Sequence, residues 1–254
     1  GGEPRPGFEL AGTRLAARIG LRFEESSGCN VLGRLRVASE PTAQVVVLGA
    51  HLDHLGRGER GNSLARADES GQVHPGADDN ASGVAGLLEI ARRLGDRLRC
   101  GRLTGLRRDV LCAAWSGEEL GLLGSSHFVR QRTADETSLA ADVAACLNLD
   151  MIGRLERTLS LQGVASSPFW RPAIERHNIV AGLPLTLGDD TYLPTDATSF
   201  YLKGVPILAA FTGTYAEHHS PRDRPELLSY VGLARIARLM EELVIDVAAA
   251  ERAP

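Results

Sequence analysis

The sequence predicts an α/β layer architecture, and three observations carry that reading. Short apolar runs alternate along the chain with longer amphipathic stretches. The apolar runs give way to polar loops holding His, Asp and Glu. The 254 residues, 43% hydrophobic with a net charge of -4, are enough for one substantial core.

Gln44–Asp53 predicts a buried strand that runs into a polar loop. Ala81–Arg97 predicts a helix with Val84, Leu87, Leu88, Ala91 and Leu94 on one face. Asp109–Gly117 predicts a second strand, Glu119–Arg132 a helix and Val143–Gly153 a third strand. A weaker strand follows near Thr158–Gly163, then a helix over Ser167–Val180 with Pro168 near its start. Val205–Gly213 is another core strand, and a long amphipathic helix closes the chain over Leu228–Ala250. Gly56–Pro75 and Asp189–Ser199 are polar and broken by Gly or Pro, so they predict long loops, a class that often carries function. The first 40 residues are irregular and fit an edge hairpin or the stump of another domain. Residues 1–254 are expected to form one domain.

Composition excludes several classes. Apolar content and small net charge argue against disorder. No basic excess exists to neutralise phosphates, which argues against nucleic-acid partners. Of 28 basic residues only Lys203 is lysine, a coding bias rather than a function. No apolar run approaches the roughly 18 to 20 residues of a membrane span. Cys29, Cys100, Cys112 and Cys146 form no CxxC pair, and the last two sit in apolar runs as small buried thiols. Nothing in the sequence speaks to oligomeric state.

The chemistry lies in the polar residues at the ends of the predicted strands. They are His51 and Asp53, then Asp78, Asp79 and Asn80, then Glu118 and Glu119, then Asp150, and late in the chain His218 and His219. Open α/β sheets gather ligands at the carboxyl ends of their strands, so adjacent strands would bring these groups to one cleft. Several uncompensated carboxylates in one cleft raise each other's pKa, and a divalent cation relieves this. Nitrogen with carboxylate oxygen suits zinc. Two zinc ions need a bridge, which Asp79 would supply. His51 with Asp150 would complete one side, and Glu119 with His219 the other. Glu118 is left over as a free carboxylate, where a general base belongs. Asp78 taken alone fits a helix cap or turn equally well. His54, His74, His127 and His177 are isolated and are expected to be structural.

These residues stand in six ordered motifs: GAHLDHLG, GADDNASGVAGLLEIAR, WSGEELGLLGS, NLDMIGR, TDATSFYLKGVPIL and HHSPRD. Together they resemble the dinuclear zinc aminopeptidases of peptidase family M28, from about Asn30 to the final helix. The resemblance implies a three-layer α/β/α globular domain around a central mixed, mostly parallel β-sheet. It implies two Zn2+ per chain, with His51 and Asp150 on one, Glu119 and His219 on the other, and Asp79 between them. Asp53 would orient His51 through its far ring nitrogen, and a cis peptide would follow Asp79. The implied activity is hydrolysis of the N-terminal peptide bond of peptides with a free N-terminus, by a metal-bridging water that Glu118 activates. A secreted or periplasmic location is the family tendency, although no signal peptide is visible at Gly1–Gly2.

The chain departs from the family pattern at two positions. Ala197 stands where a His is common, and His218 stands where a Tyr usually precedes the last His. Tyr192, Tyr201 and Tyr215 lie nearby in sequence as candidates to assist the oxyanion. Many relatives also carry a protease-associated domain near the irregular first 40 residues. Two rivals share the fold: a glutaminyl cyclase, which typically uses one zinc, and a binding module that has lost catalysis. The chain keeps five metal-ligand candidates and the base, which disfavours both.

Overall fold

The computed structural model describes residues 7, 12–14, 16–20, 25–37, 41–133 and 138–254. In chain order the strands and helices are β1 (Val31–Leu35), β2 (Val45–His51), α1 (Gly83–Arg99), β3 (Asp109–Trp115), α2 (Leu123–Arg132), α3 (Leu139–Asp142) and β4 (Val143–Leu149). They continue with β5 (Leu159–Gln162), α4 (Trp170–Ala181), β6 (Leu185–Gly188), α5 (Ala197–Tyr201), β7 (Ile207–Phe211) and α6 (Tyr230–Ala249).

The strands form one mixed sheet in the order β1-β3-β2-β4-β7-β5-β6. The pairs β2–β3, β2–β4, β4–β7 and β5–β6 are parallel, while β1–β3 and β5–β7 are antiparallel. Central strands buried on both faces have no polar side to present, which is why β2 and β4 are unbroken apolar runs. Alternation still sorts their side chains. Val46, Leu48 and Ala50 of β2 pack with α1, α4 and α6, whereas Val45 and Val47 pack with α2, α3 and α5. The sheet is therefore the middle of three layers. Trp115 anchors the second layer, its ring 5.3 Å from Phe128 and 5.9 Å from Phe200.

Each main predicted element is present with its ends shifted by a few residues, and the differences have local causes. On α1 the buried face is Gly83, Leu87, Ile90 and Leu94, while Leu88 points to solvent. Val84, Leu87, Ala91 and Leu94 of the predicted face pack on the core, and Ile90 rather than Leu88 completes the 3.6-residue period. The helix predicted from Glu119 starts only at Leu123, since Glu118–Leu122 forms a turn with Leu122 at φ 58°. Within the irregular first 40 residues, Val31–Leu35 forms the antiparallel edge strand β1; residues 1–6, 8–11, 15, 21–24 and 38–40 lie outside the described residues. β6 has no counterpart among the expected elements, being a four-residue strand of mixed exposure at the opposite sheet edge. No described helix is long and apolar enough to cross a membrane.

Candidate active site

Register places the site. His51 at the end of β2 lies opposite Trp115 at the end of β3, and the neighbouring β4 carries Asp150 just past its last residue. These parallel strands end at one edge, where Glu118, Asp150 and the loop Ala77–Ser82 meet. That loop makes a close approach to β4. A Cβ on Gly83 would stand 2.4 Å from the Leu149 carbonyl, so only glycine fits.

Asp79 sits at the centre of the edge, and the two oxygens of its carboxylate face different groups. Oδ1 is 3.3 Å from His51 Nε2, which is in turn 3.4 Å from Asp150 Oδ1. Oδ2 is 3.1 Å from His219 Nε2, which is 3.3 Å from Glu119 Oε2. Zinc bonds of 2.0–2.1 Å in a tetrahedron set neighbouring donors about 3.3 Å apart. The spacing, the donor types and the split of one carboxylate between two clusters all fit divalent metal.

The loops are built to hold these atoms. Asp223 accepts from the backbone N–H groups of Asp78 and Asp79, each at 3.0 Å. Asn80 donates to the Leu149 carbonyl and accepts from the N–H groups of Gly83 and Met151. The Asp79–Asn80 peptide is cis. Asp78 is a tether: its Oδ1 accepts from the Gly153 N–H at 2.8 Å and the Ser82 hydroxyl at 3.1 Å. His51 Nδ1 is 3.1 Å from the Asp53 carbonyl and His219 Nδ1 is 2.9 Å from the Asn62 carbonyl. A carbonyl only accepts, so both Nδ1 atoms carry hydrogen and both Nε2 atoms point at the acids. Asp53 meets the far ring nitrogen of His51 through its backbone carbonyl. Its carboxylate is 4.0 Å from His51 and instead accepts from the N–H groups of Glu118 and Glu119, fixing the turn that bears them.

Electrostatics follow from burial and sign. Burial, with the charges of Asp150, Asp196 and Glu119, pushes Glu118 up to about 8 against the pull of His51. Burial likewise brings Asp196 up to about 7. Burial opposes ionisation of Asp79 as well, but His219 and His51 outweigh it and hold that carboxyl low. Burial would lower His219, yet Asp79 and Glu119 raise it to about 10; His51 is raised by Asp150 and Asp79 in the same way. Proton and metal thus compete for the same two Nε2 atoms.

The cavity encloses about 510 Å3. Its remaining wall is Gly121, Leu122, Met151, Pro194, Ala209, Ala210 and Phe211, with Asn62, Gln162, Thr195 and Thr214 as uncharged polar groups. Leu122, Met151 and His219 have φ of 58°, 50° and 53°, a left-handed conformation costly for such residues, and all three line this cavity.

Two histidines need correction or addition. His54, expected to be structural, donates from Nδ1 to Glu119 Oε1 at 2.8 Å and lies 3.8 Å from Asp79 Oδ2. The signal was available in its position, three residues after His51 on the same loop. His218 also turns inward, Nδ1 3.4 Å from Asp79 Oδ2. His74 and His177 are structural, bonded to Ser63 and Asp246. None of the three tyrosines lines the cavity. Tyr215 donates to backbone carbonyls, and Tyr192 packs edge-on against Tyr201. The parts of Asp223 and Asn80 in holding the Asp79 loop leave no spacing signal in the sequence, because they act through backbone N–H groups.

The chain is 29% identical over 238 residues to the probable lipoprotein aminopeptidase LpqL of Mycobacterium tuberculosis, covering 87% of this chain and 42% of that protein. It spans less than half the length of the first curated relatives it matches. Among solved structures, the zinc aminopeptidase BSAP of Bacillus subtilis superposes with a TM-score of 0.67 at 23% identity, over 87% of this chain and 50% of that one. A glutaminyl cyclase of Porphyromonas gingivalis superposes with a TM-score of 0.66 at 20% identity, over 85% and 76%. At these identities the superpositions establish the fold. Residues 30–244 match the family model of peptidase family M28, and the chain belongs to that family.

Proposed function

We propose that the chain is a zinc-dependent aminopeptidase that removes the N-terminal residue from peptides. The observation that carries this reading is Asp79, whose two oxygens each face a separate histidine–carboxylate cluster while Glu118 stays free beside them. Asp79, His51 and Asp150 would hold one zinc; Asp79, Glu119 and His219 the other. Zinc there supplies Lewis acidity, polarising the scissile carbonyl and making water easier to deprotonate.

The chain's own groups do the rest. Glu118, with a carboxyl far more basic than a solvated one, takes the proton of the attacking water and returns it to the departing amine. Asp53 keeps Glu118 aimed through its backbone N–H. The acidic cluster attracts the substrate's free α-amine. The apolar wall with its uncharged polar groups favours an uncharged first side chain. The aminopeptidase relatives support the same reading.

Elemental analysis of protein purified without chelator or added metal, paired with a leucine p-nitroanilide assay, tests it. Two zinc ions per chain and chelator-sensitive turnover are expected. One zinc or none, with no turnover after zinc is restored, would overturn the reading. Cyclisation of an N-terminal glutamine peptide would then mark the cyclase alternative.

A further inference from the structure

Asp79 Oδ2 is approached by two imidazoles, not one. His219 Nε2 lies 3.1 Å away and His218 Nδ1 lies 3.4 Å away, with the two rings stacked at 3.8 Å between centroids. Both separations are tetrahedral edge lengths for zinc, about 3.3 Å. His218 Nδ1 is itself buried and makes no hydrogen bond among the described residues. Asp79, His218 and His219 each offer a ligand atom within one small sphere. A buried ring nitrogen left unpaired costs stability unless something else takes it.

From this geometry we infer that His218 is a fourth protein donor at the His219 side of the centre, so that the two metal positions are chemically unequal. The inference rests on the two-zinc reading above. The His219 position is then closed by His218, His219, Glu119 and Asp79. The other position has His51, Asp150 and Asp79, with Glu118 in reach of the same sphere, and Glu118 kept as the base leaves a place open. Structural zinc sites are closed and catalytic ones keep an open position. Water and the scissile carbonyl therefore engage the His51 side, next to Glu118, whose Oε2 is 4.0 Å from His51 Nε2. His54 plays a different part: its Nδ1 bonds Glu119 Oε1 and steadies that carboxylate.

The test is a zinc titration of the metal-free chain against a chromophoric chelator, on wild type, His218→Ala and His218→Asn. The asparagine keeps a side-chain amide near the Nδ1 position without offering an imidazole. One stepwise zinc affinity should weaken at least about 10-fold in both variants while the other holds. Added imidazole should restore part of the loss in His218→Ala. Cobalt in place of zinc should show an altered visible band for one of two ions. Unchanged stepwise affinities in the two variants would overturn the assignment even if turnover falls, because His218 would then act on substrate. Loss in His218→Ala alone would overturn it as a packing effect. A wild-type chain that binds fewer than two zinc ions would overturn the two-metal reading and this inference with it.

Discussion

Glu241 on α6 and the acids of the cavity are both buried, but their charges are met in opposite ways. Glu241 is fully buried and takes Arg93 and Arg97 of α1, the latter at 3.1 Å. Asp79, Glu118, Glu119 and Asp150 share a cavity with imidazoles and, among the described residues that line it, no Arg or Lys. The chain has 28 basic residues, so the missing cation is not a matter of scarcity. In the first region the sequence carries its own counter-charge, and the result is a clasp between two helices. In the second it withholds one, and the acids are left for protons or for a divalent metal.

Removing one carboxylate from each region sharpens the contrast most. Glu118→Gln keeps the shape of the side chain but cannot hold the transferred proton. Its kcat on leucine p-nitroanilide should fall about 10²- to 10⁴-fold, roughly 3 to 5 kcal/mol, with zinc content unchanged. Glu241→Gln should leave kcat where it was. Full activity in Glu118→Gln with zinc bound would remove the base from the mechanism.

Metal removal is the next largest effect. A ligand present at about 1,000 times its Kd stabilises the folded state by about 4 kcal/mol. For a chain of this size that is a fall in Tm of about 10 °C on chelation, read by calorimetry and reversed by zinc. A Tm indifferent to chelator would mean that the acid cluster is satisfied without metal. The Glu241 clasp is broken differently. Arg93→Met with Arg97→Met strands a fully buried carboxylate, at a cost of about 3 kcal/mol in urea unfolding. Zinc content and kcat should not follow.

How much of this the sequence reveals depends on the kind of signal each residue leaves. Strand ends are legible, because an apolar run that stops at His51, or just before Asp150, announces a ligand edge. Asp79 is legible as one acid in a cluster that needs a bridge. His54 is harder to place, since single-residue reasoning treats an isolated histidine as packing and only the folded loop brings it to Glu119. Asp53 is legible as a neighbour of His51, but nothing in the sequence shows that its backbone carbonyl meets the ring while its carboxylate holds the Glu118–Glu119 turn. β6 left no mark because four residues at a half-exposed sheet edge carry too little periodicity.

The smallest expected effect concerns Asp78, which stands beside the acid cluster with no hydrogen bond on Oδ2. Burial raises its carboxyl to about 6, with Asp223 adding to the shift and the Gly153 N–H and Ser82 hydroxyl opposing it. An unfolded Asp titrates near about 3.9. Between about pH 4 and 6 the folded chain therefore keeps a proton that the unfolded chain has released. The sign follows: this group's stabilising contribution is complete below about pH 4 and is lost as pH rises through about 6. Asn at position 78 is neutral throughout and still offers an oxygen to the Gly153 N–H. On metal-free protein, Asp78→Asn should come close to wild type at pH 4 and exceed it by about 2 kcal/mol at pH 8. Urea unfolding at the two pH values reads the difference between the chains, which cancels groups that titrate in both. Parallel stability curves would show that Asp78 is ionised in the fold, balanced by Arg154, and would move it from the uncompensated region to the compensated one.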